Sequence, residues 1–226
     1  MEDYIRLLIS SKRLNSSTNN NLKLTDKESH YINKVMRVKN GQEILIVNGE
    51  GCIWKGKKID RENLKVTSFD KPYVFKENNK LLIGLAISPP KNGFEDILKM
   101  TTEIGVDIIQ PIITERQIKK ISNQSLKIKR WDKIINESVE QSERLWRPEL
   151  LKFIDVFDWI NSLNKNDFVS ISMTRNENTI GLRKWISNKK ILKEKNSIIW
   201  NVIGPEGGWS KNEIRKFKNL KIKFIK

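Results

Sequence analysis

The sequence predicts an α/β protein in two parts, a small β-rich segment followed by a larger domain with a mostly parallel sheet. Asn40-Gly41 and Asn48-Gly49, dipeptides that favour tight hairpin turns, flank an alternating apolar run at residues 43–47. Beyond residue 80, the apolar residues form continuous runs typical of strands that are covered on both faces. These runs alternate with helical patterns, which indicates strand-helix-strand units.

The first part contains the hairpin signals and one helical pattern. Apolar residues in the stretch 29–38 recur at helical spacing and predict a short helix before the hairpin. The polar, proline-containing stretch 70–80 (DKPYVFKENNK) is typical of a linker. We therefore expect a first domain over residues 1–74, a small antiparallel barrel or sheet, and a second domain over residues 75–226.

The second part alternates strands with helices along its whole length. Gly105 stands where a helix C-terminal glycine belongs, and Ser210 with Glu213 forms a capping box that predicts a helix start. The expected strands are 81–88, 107–114, 167–172 and 197–204, and the expected helices are 94–104, 129–145, 180–187 and one that begins after Ser210.

Composition excludes several classes of protein. No stretch approaches the roughly 20 continuous apolar residues of a membrane span, and the N-terminus lacks a basic segment followed by an apolar signal core. We therefore expect a soluble, cytoplasmic protein. Because Cys52 and His30 are the only cysteine and histidine, an intramolecular disulfide and the usual zinc ligand sets are ruled out, and we expect no metal.

The charge balance points to a polyanionic partner. The formal net charge is +16, a balance expected of proteins that bind nucleic acid. An alternative is compositional drift, because the chain contains 32 lysines, 11 arginines and 23 asparagines. Residues 183–226 hold 13 basic and 3 acidic side chains, so this end is the candidate nucleic-acid surface.

The segment 198–214 (IIWNVIGPEGGWSKNEI) runs from a predicted strand through a glycine-rich loop into a predicted helix. Ligands of open parallel sheets bind beyond the carboxyl ends of the strands, and glycines let a ligand approach the main chain closely. The spacing G-P-E-G-G matches neither the dinucleotide fingerprint nor the phosphate loop, and the phosphate-loop lysine is missing. The loop is therefore either a binding site for a planar or polar ligand or a tight turn.

Four stretches resemble one family in order and spacing. IGPEGGWSKNEI is similar to the signature of the ribosomal RNA small subunit methyltransferase E family, which are SPOUT-class methyltransferases. HYINKVMRVKNGQEILIVNG is similar to the N-terminal segment of that family. KNGFEDILKMTTEIGVDIIQPIITER and RWDKIINESVEQSERLWRPEL are similar to the start of its catalytic domain and to one of its helices. Together the four stretches span about residues 30–214.

The resemblance implies a PUA-like RNA-binding barrel, a SPOUT-type α/β domain with a trefoil knot, S-adenosylmethionine as methyl donor, and a homodimer. It also implies methylation of uracil N3 in 16S ribosomal RNA or the small ribosomal subunit. In the family, a glycine-containing loop and a final helix follow the last strand and close the knot. Because the sequence stops at NLKIKFIK, we expect the second domain to be incomplete and the knot to be absent. The alternative is a non-catalytic RNA-binding remnant that has lost the cofactor.

The candidate catalytic residues are Glu137, Gln141 and Arg144, whose spacing of i, i+4 and i+7 predicts one helix face. A planar guanidinium pairs two phosphate oxygens or orients a base edge, and Arg144 could stabilise negative charge on the uracil oxygens. The candidate cofactor-binding residues are Met173, Ile203, Gly204, Pro205, Glu206, Gly207 and Gly208.

The candidate RNA-binding residues are Arg37, Lys91 and Lys99. Lys91, Glu95, Lys99 and Glu103 recur every four residues, which also fits a solvated ladder of ion pairs, and Arg37 is equally explained as a surface charge. Of the seven tryptophans we expect most to pack in the core, and Trp209, beside the glycine loop, is the best candidate for a base contact.

Overall fold

The structure is a computed structural model that describes residues 4–15, 17, 20–67, 71–77, 81–117, 123–173, 179–187 and 197–226. The chain forms two compact units. The first comprises Met1–Asn78 and Asn136–Arg147, and the second comprises Asn79–Ile135 and Pro148–Lys226. No pattern in the sequence indicates that residues 136–147 belong with the N-terminal residues.

The first unit is built on a six-stranded sheet. Its elements are β1 (Arg6–Leu8), α1 (Ser11–Asn15), β2 (Asn21–Lys23), α2 (Asp26–His30), a π-helical turn (Tyr31–Val35), β3 (Glu43–Val47), β4 (Cys52–Lys58), β5 (Asn63–Val66) and β6 (Val74–Phe75). The strand order is β1-β3-β4-β5-β2, with β6 also paired to β4. Only β1 and β3 are parallel among these pairs of described strands.

The predicted hairpin and helix of the first unit are present, with differences in detail. β3 and β4 form the hairpin, in which the Asn48 side-chain oxygen accepts hydrogen bonds from the Glu50 and Cys52 backbone N–H groups at 2.9 and 3.0 Å. The helix begins earlier than predicted, at Asp26, because Thr25 caps it. It continues into the π-helical turn. The stretch predicted as a linker contains β6.

The second unit is built on a seven-stranded sheet whose pairs are all parallel within the described residues. Its strands are β7 (Leu82–Ile87), β8 (Ile108–Ile113), β9 (Glu149–Leu150), β10 (Ile154–Asp155), β11 (Phe168–Ser172), β12 (Ile198–Ile203) and β13 (Lys223–Ile225). The strand order is β10-β8-β7-β12-β11-β13, and β9 also pairs with β8.

Five helices accompany this sheet in the described part of the chain: α3 (Phe94–Ile104), α4 (Gln124–Gln141), α5 (Val156–Ser162), α6 (Leu182–Ile186) and α7 (Lys211–Asn219). α4 begins in the second unit, and its last residues belong to the first. The predicted fold class, a small β-rich domain followed by a parallel α/β domain, is confirmed.

Apolar packing fixes the second sheet. Trp200 on β12 is 2% exposed and meets Trp159 of α5 edge-on, with ring centroids 5.1 Å apart. Because a Cβ at Gly84 of the neighbouring β7 would lie 2.3 Å from the Trp200 ring, glycine is needed there. The expectation that most tryptophans pack in the core is confirmed, since six are buried: Trp54, Trp131, Trp159, Trp185, Trp200 and Trp209.

Candidate functional site

A cavity of about 590 Å³ lies where β11, β12 and β13 end. Ligand pockets in proteins typically measure about 300–1,000 Å³, and in open parallel sheets they lie at this end of the strands. The lining residues are Ser172, Met173, Ile203, Gly204, Pro205, Gly208, Trp209, Ile214, Ile225 and Lys226. The cavity is therefore large enough for a small organic ligand.

The glycine loop forms one wall of this cavity. After β12 the chain makes a tight turn in which the Gly208 N–H donates to the Pro205 carbonyl oxygen at 2.8 Å. Gly208 has a φ of +68°, a conformation that L side chains rarely adopt. A Cβ on Gly204 would lie 2.7 Å from Cε2 of Trp209, so a side chain at Gly204 would displace the indole. Glycine is thus required at both ends of the turn.

Trp209 closes the wall behind the loop. It is 7% exposed, and its ring meets Phe217 of α7 edge-on at 5.0 Å. Its Nε1–H points to the Ser172 carbonyl oxygen at 3.4 Å, which links the loop to the end of β11. These contacts in the core therefore explain the position of Trp209 without a contact to a base.

A buried carboxylate anchors the loop to the residue that follows β8, two strands away in the sheet. Glu213 on α7 is fully buried and accepts hydrogen bonds from the Ser210 N–H at 2.7 Å and from the Glu115 N–H at 2.9 Å. The Glu213 N–H in turn donates to the Ser210 hydroxyl, which completes the predicted capping box. Glu115 follows β8, so one carboxylate joins the ends of β8 and β12.

Two cationic residues contact the tip of the glycine loop. The Lys91 backbone N–H donates to the Glu206 carboxylate at 3.2 Å, and the Arg116 guanidinium donates through Nη1 to the Gly207 carbonyl oxygen at 3.3 Å. Hydrogen bonds from Ser210 and Asn212 lower the pKa of the nearby Glu115 carboxyl, which keeps it ionised. The tip thus carries both signs of charge.

The structure gathers most of the predicted cofactor-binding residues at the cavity. Met173, Ile203, Gly204, Pro205 and Gly208 line it, whereas Glu206 and Gly207 form the tip of the turn and do not. Ser172 also lines the cavity, and it begins the loop expected to help hold the cofactor. Ile214, Ile225 and Lys226 were not predicted; they lie on α7 and at the end of β13, and no local pattern links them to the glycine loop.

The predicted catalytic residues belong to the first unit, whereas the cavity belongs to the second. The prediction of one helix face holds for Glu137 and Gln141 and is wrong for Arg144. α4 ends at Gln141, and Glu143 has a φ of +56°, so the chain leaves the helix before Arg144. Glu137 and Gln141 are exposed, and Arg144 is half-buried.

The same helix end carries a perturbed carboxyl. The Glu140 Oε1 accepts a hydrogen bond from the Leu8 N–H of β1 at 2.8 Å. Burial raises the pKa of Glu140 to about 7, and the negative charges of Glu137 and Glu28 add to this shift, while the Leu8 hydrogen bond opposes it. Burial, together with the charges of Glu140 and Glu137, also raises the pKa of Tyr31.

The predicted RNA-binding residues are all exposed. Arg37 follows the π-helical turn with a φ of +52°. On α3, Lys99 pairs with Asp96 at 3.8 Å, and Glu95 pairs with Arg130 of α4 at 2.6 Å. Surface pairs of this kind contribute at most about 1 kcal/mol each.

Neither a metal centre nor a membrane span is evident in the described part of the chain. Within those residues, no group of three or more His, Cys, Asp or Glu side chains is placed to hold a metal ion. No helix among them is long and apolar enough to cross a membrane.

A parallel sheet with a glycine loop over a cavity at its strand ends is the arrangement typical of α/β ligand-binding proteins. Comparison with protein families narrows this class. Residues 76–226 match an RNA methyltransferase domain, and residues 24–67 match an RNA methyltransferase PUA domain. The chain belongs to this RNA methyltransferase family.

Individual relatives agree. The chain is 28% identical over 212 residues to ribosomal RNA small subunit methyltransferase E of Synechocystis sp., a match that covers 92% of this chain and 66% of the relative. It is 31% identical over 208 residues to the protein of the same name from Buchnera aphidicola, covering 89% of this chain and 77% of the relative. The chain thus spans just under two thirds of the length of the Synechocystis relative.

Solved structures share the fold. A ribosomal RNA small subunit methyltransferase E from Neisseria gonorrhoeae, bound to S-adenosyl methionine, superposes with a TM-score of 0.82 at 21% identity, covering 99% of this chain and 89% of the other. A protein from Legionella pneumophila, in complex with the same cofactor, superposes with a TM-score of 0.80 at 21% identity, covering 99% of this chain and 88% of the other.

Proposed function

We propose that this protein transfers the methyl group of S-adenosylmethionine to uracil N3 in 16S ribosomal RNA. The observation that carries the proposal is the cavity of about 590 Å³ under a glycine loop at the ends of parallel strands. Family membership and the names of the relatives support RNA as substrate. The net charge of +16 agrees with a polyanionic substrate.

The residues of the cavity fit S-adenosylmethionine. Met173, Ile203 and Ile225 line the cavity with apolar side chains that suit an adenine ring, and Gly204 and Gly208 have no side chain to keep a ligand from the main chain. Ile203, at the end of β12, is 36% exposed, and a ligand in the cavity would cover it. When bound, the cofactor supplies an electrophilic methyl group.

In the proposed reaction, the residues of the protein align the uracil base and stabilise its anion. Uracil N3 is a poor nucleophile while it carries its proton, so the site must favour loss of that proton. We assign Arg144 to stabilising the negative charge that develops on the uracil oxygens, and Glu137 and Gln141 to orienting the base edge. Arg37, Lys91 and Lys99 bind phosphates of the RNA. Alignment and desolvation supply the remainder of the acceleration.

We also propose that the protein acts as a homodimer in the cytoplasm. Met100 and Ile104 support self-association, because they lie four residues apart on α3 and are 59% and 79% exposed. Sedimentation velocity tests this proposal. The double substitution of both residues by lysine should convert a dimer into a monomer, and a monomeric unaltered chain would contradict the assignment.

Three measurements test the reaction. Isothermal titration calorimetry should show binding of S-adenosylmethionine, whereas an RNA-binding remnant would give no heat with the cofactor. Labelled methyl transfer to 16S ribosomal RNA or small subunits tests the activity. Because a methyl on N3 blocks the pairing edge of uracil, reverse transcriptase should stop one nucleotide before the modified position.

Arg144→Ala tests the assigned role. The rate at saturating substrates should fall at least tenfold, and Arg144→Lys should recover only part of it, since a lysine cannot pair two oxygens. Normal methylation by Arg144→Ala would refute this role while leaving cofactor binding and RNA specificity to be judged separately.

A further inference from the structure

The glycine loop has two sides with different chemistry. Gly204, Pro205 and Gly208 face the cavity, whereas Glu206 and Gly207 do not line it. Glu206 accepts a hydrogen bond from the Lys91 backbone N–H, and Gly207 accepts one from the Arg116 guanidinium; these two donors follow β7 and β8. One side therefore belongs to the cavity, and the Arg116 guanidinium contacts the other.

Arg116 is held at a fixed place by its neighbours in the chain. The N–H of the preceding residue, Glu115, donates to the buried Glu213 carboxylate at 2.9 Å. The N–H of the following residue, Gln117, donates to the Thr114 carbonyl oxygen at 3.3 Å, which closes a turn around Arg116. The Thr114 hydroxyl in turn lies 3.2 Å from that of Ser88 on the next strand loop. The backbone is thus anchored while the side chain reaches into solvent.

Within the part of the chain that the structure describes, most of the hydrogen-bonding capacity of the Arg116 guanidinium is unused. Of its five N–H groups, one at Nη1 donates to the Gly207 carbonyl oxygen at 3.3 Å, the only acceptor found for it among the described residues. A planar guanidinium with free N–H groups can donate to two oxygens of a phosphate at once. A lysine ammonium attracts the phosphate as a point charge and lacks this paired geometry. Among the described residues, the contact to Gly207 orients the guanidinium and leaves its other N–H groups able to bind an anion.

Acidic groups beside Arg116 have partners of their own. The Glu115 carboxylate accepts from the Asn212 amide at 2.6 Å, and the Glu206 carboxylate accepts from the Lys91 N–H. Neither forms an ion pair with Arg116 within the described part of the chain. Among the described residues the guanidinium therefore forms no direct ion pair, although its charge is one of the causes that lower the pKa of the adjacent Glu115 carboxyl.

We propose that Arg116 binds a backbone phosphate of the RNA substrate on the side of the glycine loop that faces away from the cavity. This assignment rests on the proposed function, since it takes RNA as the substrate. The methyl donor also carries an anionic group, its carboxylate, but Arg116 does not line the cavity in which the donor is held. Through Gly207, the phosphate contact fixes the RNA strand against the loop that forms the cavity wall.

Substitutions at Arg116 separate charge, fork geometry and support of the loop. Arg116→Ala removes all three. Arg116→Gln removes the charge but keeps an N–H donor for Gly207, and Arg116→Lys keeps the charge but not the fork. Lys165→Ala is the control, because it deletes an exposed cation that precedes β11, at the opposite end of the strands.

Binding of a 16S ribosomal RNA fragment is measured by fluorescence anisotropy between 50 and 300 mM salt, and binding of S-adenosylmethionine by calorimetry. Arg116→Ala and Arg116→Gln should weaken RNA binding about tenfold at the lowest salt and reduce the slope of log K against log[salt] by about 0.7. Arg116→Lys should restore the slope but only part of the affinity. Cofactor affinity should change less than twofold in all three, and Lys165→Ala should match the unaltered protein.

Two outcomes would overturn the proposal. An unchanged salt slope in Arg116→Ala and Arg116→Gln would show that no phosphate is bound there. A loss of cofactor affinity with normal RNA binding would make Arg116 a support for the cavity wall alone. The RNA-binding and cofactor-binding measurements do not require methyl transfer. An unaltered protein that fails to methylate RNA would therefore refute the proposed function, while the role of Arg116 would still be decided by the binding measurements.

Discussion

Gly204→Ala is the sharpest test of the cavity wall. The new Cβ would lie 2.7 Å from Cε2 of Trp209 and 3.0 Å from two other atoms of the indole. Ordinary contact begins at 3.4 Å, so the methyl and the ring must separate by about 0.7 Å. Trp209 cannot yield freely, because it is buried against Phe217. Overpacking of this kind costs about 1–3 kcal/mol in the free energy of unfolding.

The same displacement should damage the binding site. Gly204 and Trp209 both line the cavity, so a shift of the indole changes the shape of the surface that receives the ligand. We expect Gly204→Ala to bind S-adenosylmethionine at least tenfold more weakly by calorimetry and to unfold at lower urea concentration. Gly181→Ala is the matched control, because Gly181 has a φ of −64° and open space around its Cβ position. The free energy of unfolding of Gly181→Ala should stay within about 1 kcal/mol of that of the unaltered protein.

A double substitution checks the cause. Trp209→Phe removes indole atoms that the new methyl would strike, so Gly204→Ala should cost less in the Trp209→Phe background than alone. If Gly204→Ala left both stability and cofactor affinity unchanged, the close packing of Gly204 against the Trp209 ring would be refuted. If the two costs simply added, the loss would come from some cause other than the clash.

Two further predictions concern the half-buried Glu140 carboxyl and the buried Glu213 carboxyl. Burial raises the folded-state pKa of Glu140 from 4.5 to about 7, so its contribution is fully present below pH 4.5 and is lost as pH rises through 7. The free energy of unfolding should fall by at most about 3 kcal/mol over this range of pH. Urea unfolding of the unaltered protein between pH 5 and 8 should show this fall, and Glu140→Gln should lack it. The same fall in Glu140→Gln would refute the assignment. Glu213→Gln replaces one acceptor oxygen by a donor facing an N–H group, so it should destabilise the protein by about 2–3 kcal/mol. Glu149→Gln, on an exposed side chain, should leave stability unchanged, and equal effects of the two would count against the Glu213 network.

The longer strands of the second unit were predictable because a parallel sheet imposes continuous apolar runs. The expected strands 81–88, 107–114, 167–172 and 197–204 each match an observed strand to within one residue at either end. The start of α7 was predictable as well, since Ser210 and Glu213 are local cap residues. Periodicity did not predict β6, β9 and β10, because strands of two residues show no period.

The candidate site was predictable only in its local part. The glycine loop is recognisable from the sequence, because Gly204 and Gly208 are required by a close approach and by backbone conformation. Arg116 was missed, since its partner Gly207 lies 91 residues away and no local pattern links them. The prediction that Arg144 shares a helix face with Glu137 and Gln141 failed for a local reason. Glu143 adopts a left-handed backbone conformation after the helix ends at Gln141, and no glycine or proline at that point of the sequence predicts the end.

The buried Glu213 carboxylate ties the two sides of the glycine loop to one anchor. It fixes the start of α7 through Ser210 and the end of β8 through Glu115, so the glycine loop and the Arg116 turn share one anchor. Movement of one would require breaking hydrogen bonds to a carboxylate that is shielded from water, and this couples the two sides of the loop. Under the two proposals, a ligand in the cavity and an anion at Arg116 would therefore meet walls whose spacing is set before either binds, and this would lower the ordering cost of bringing a base to a methyl donor.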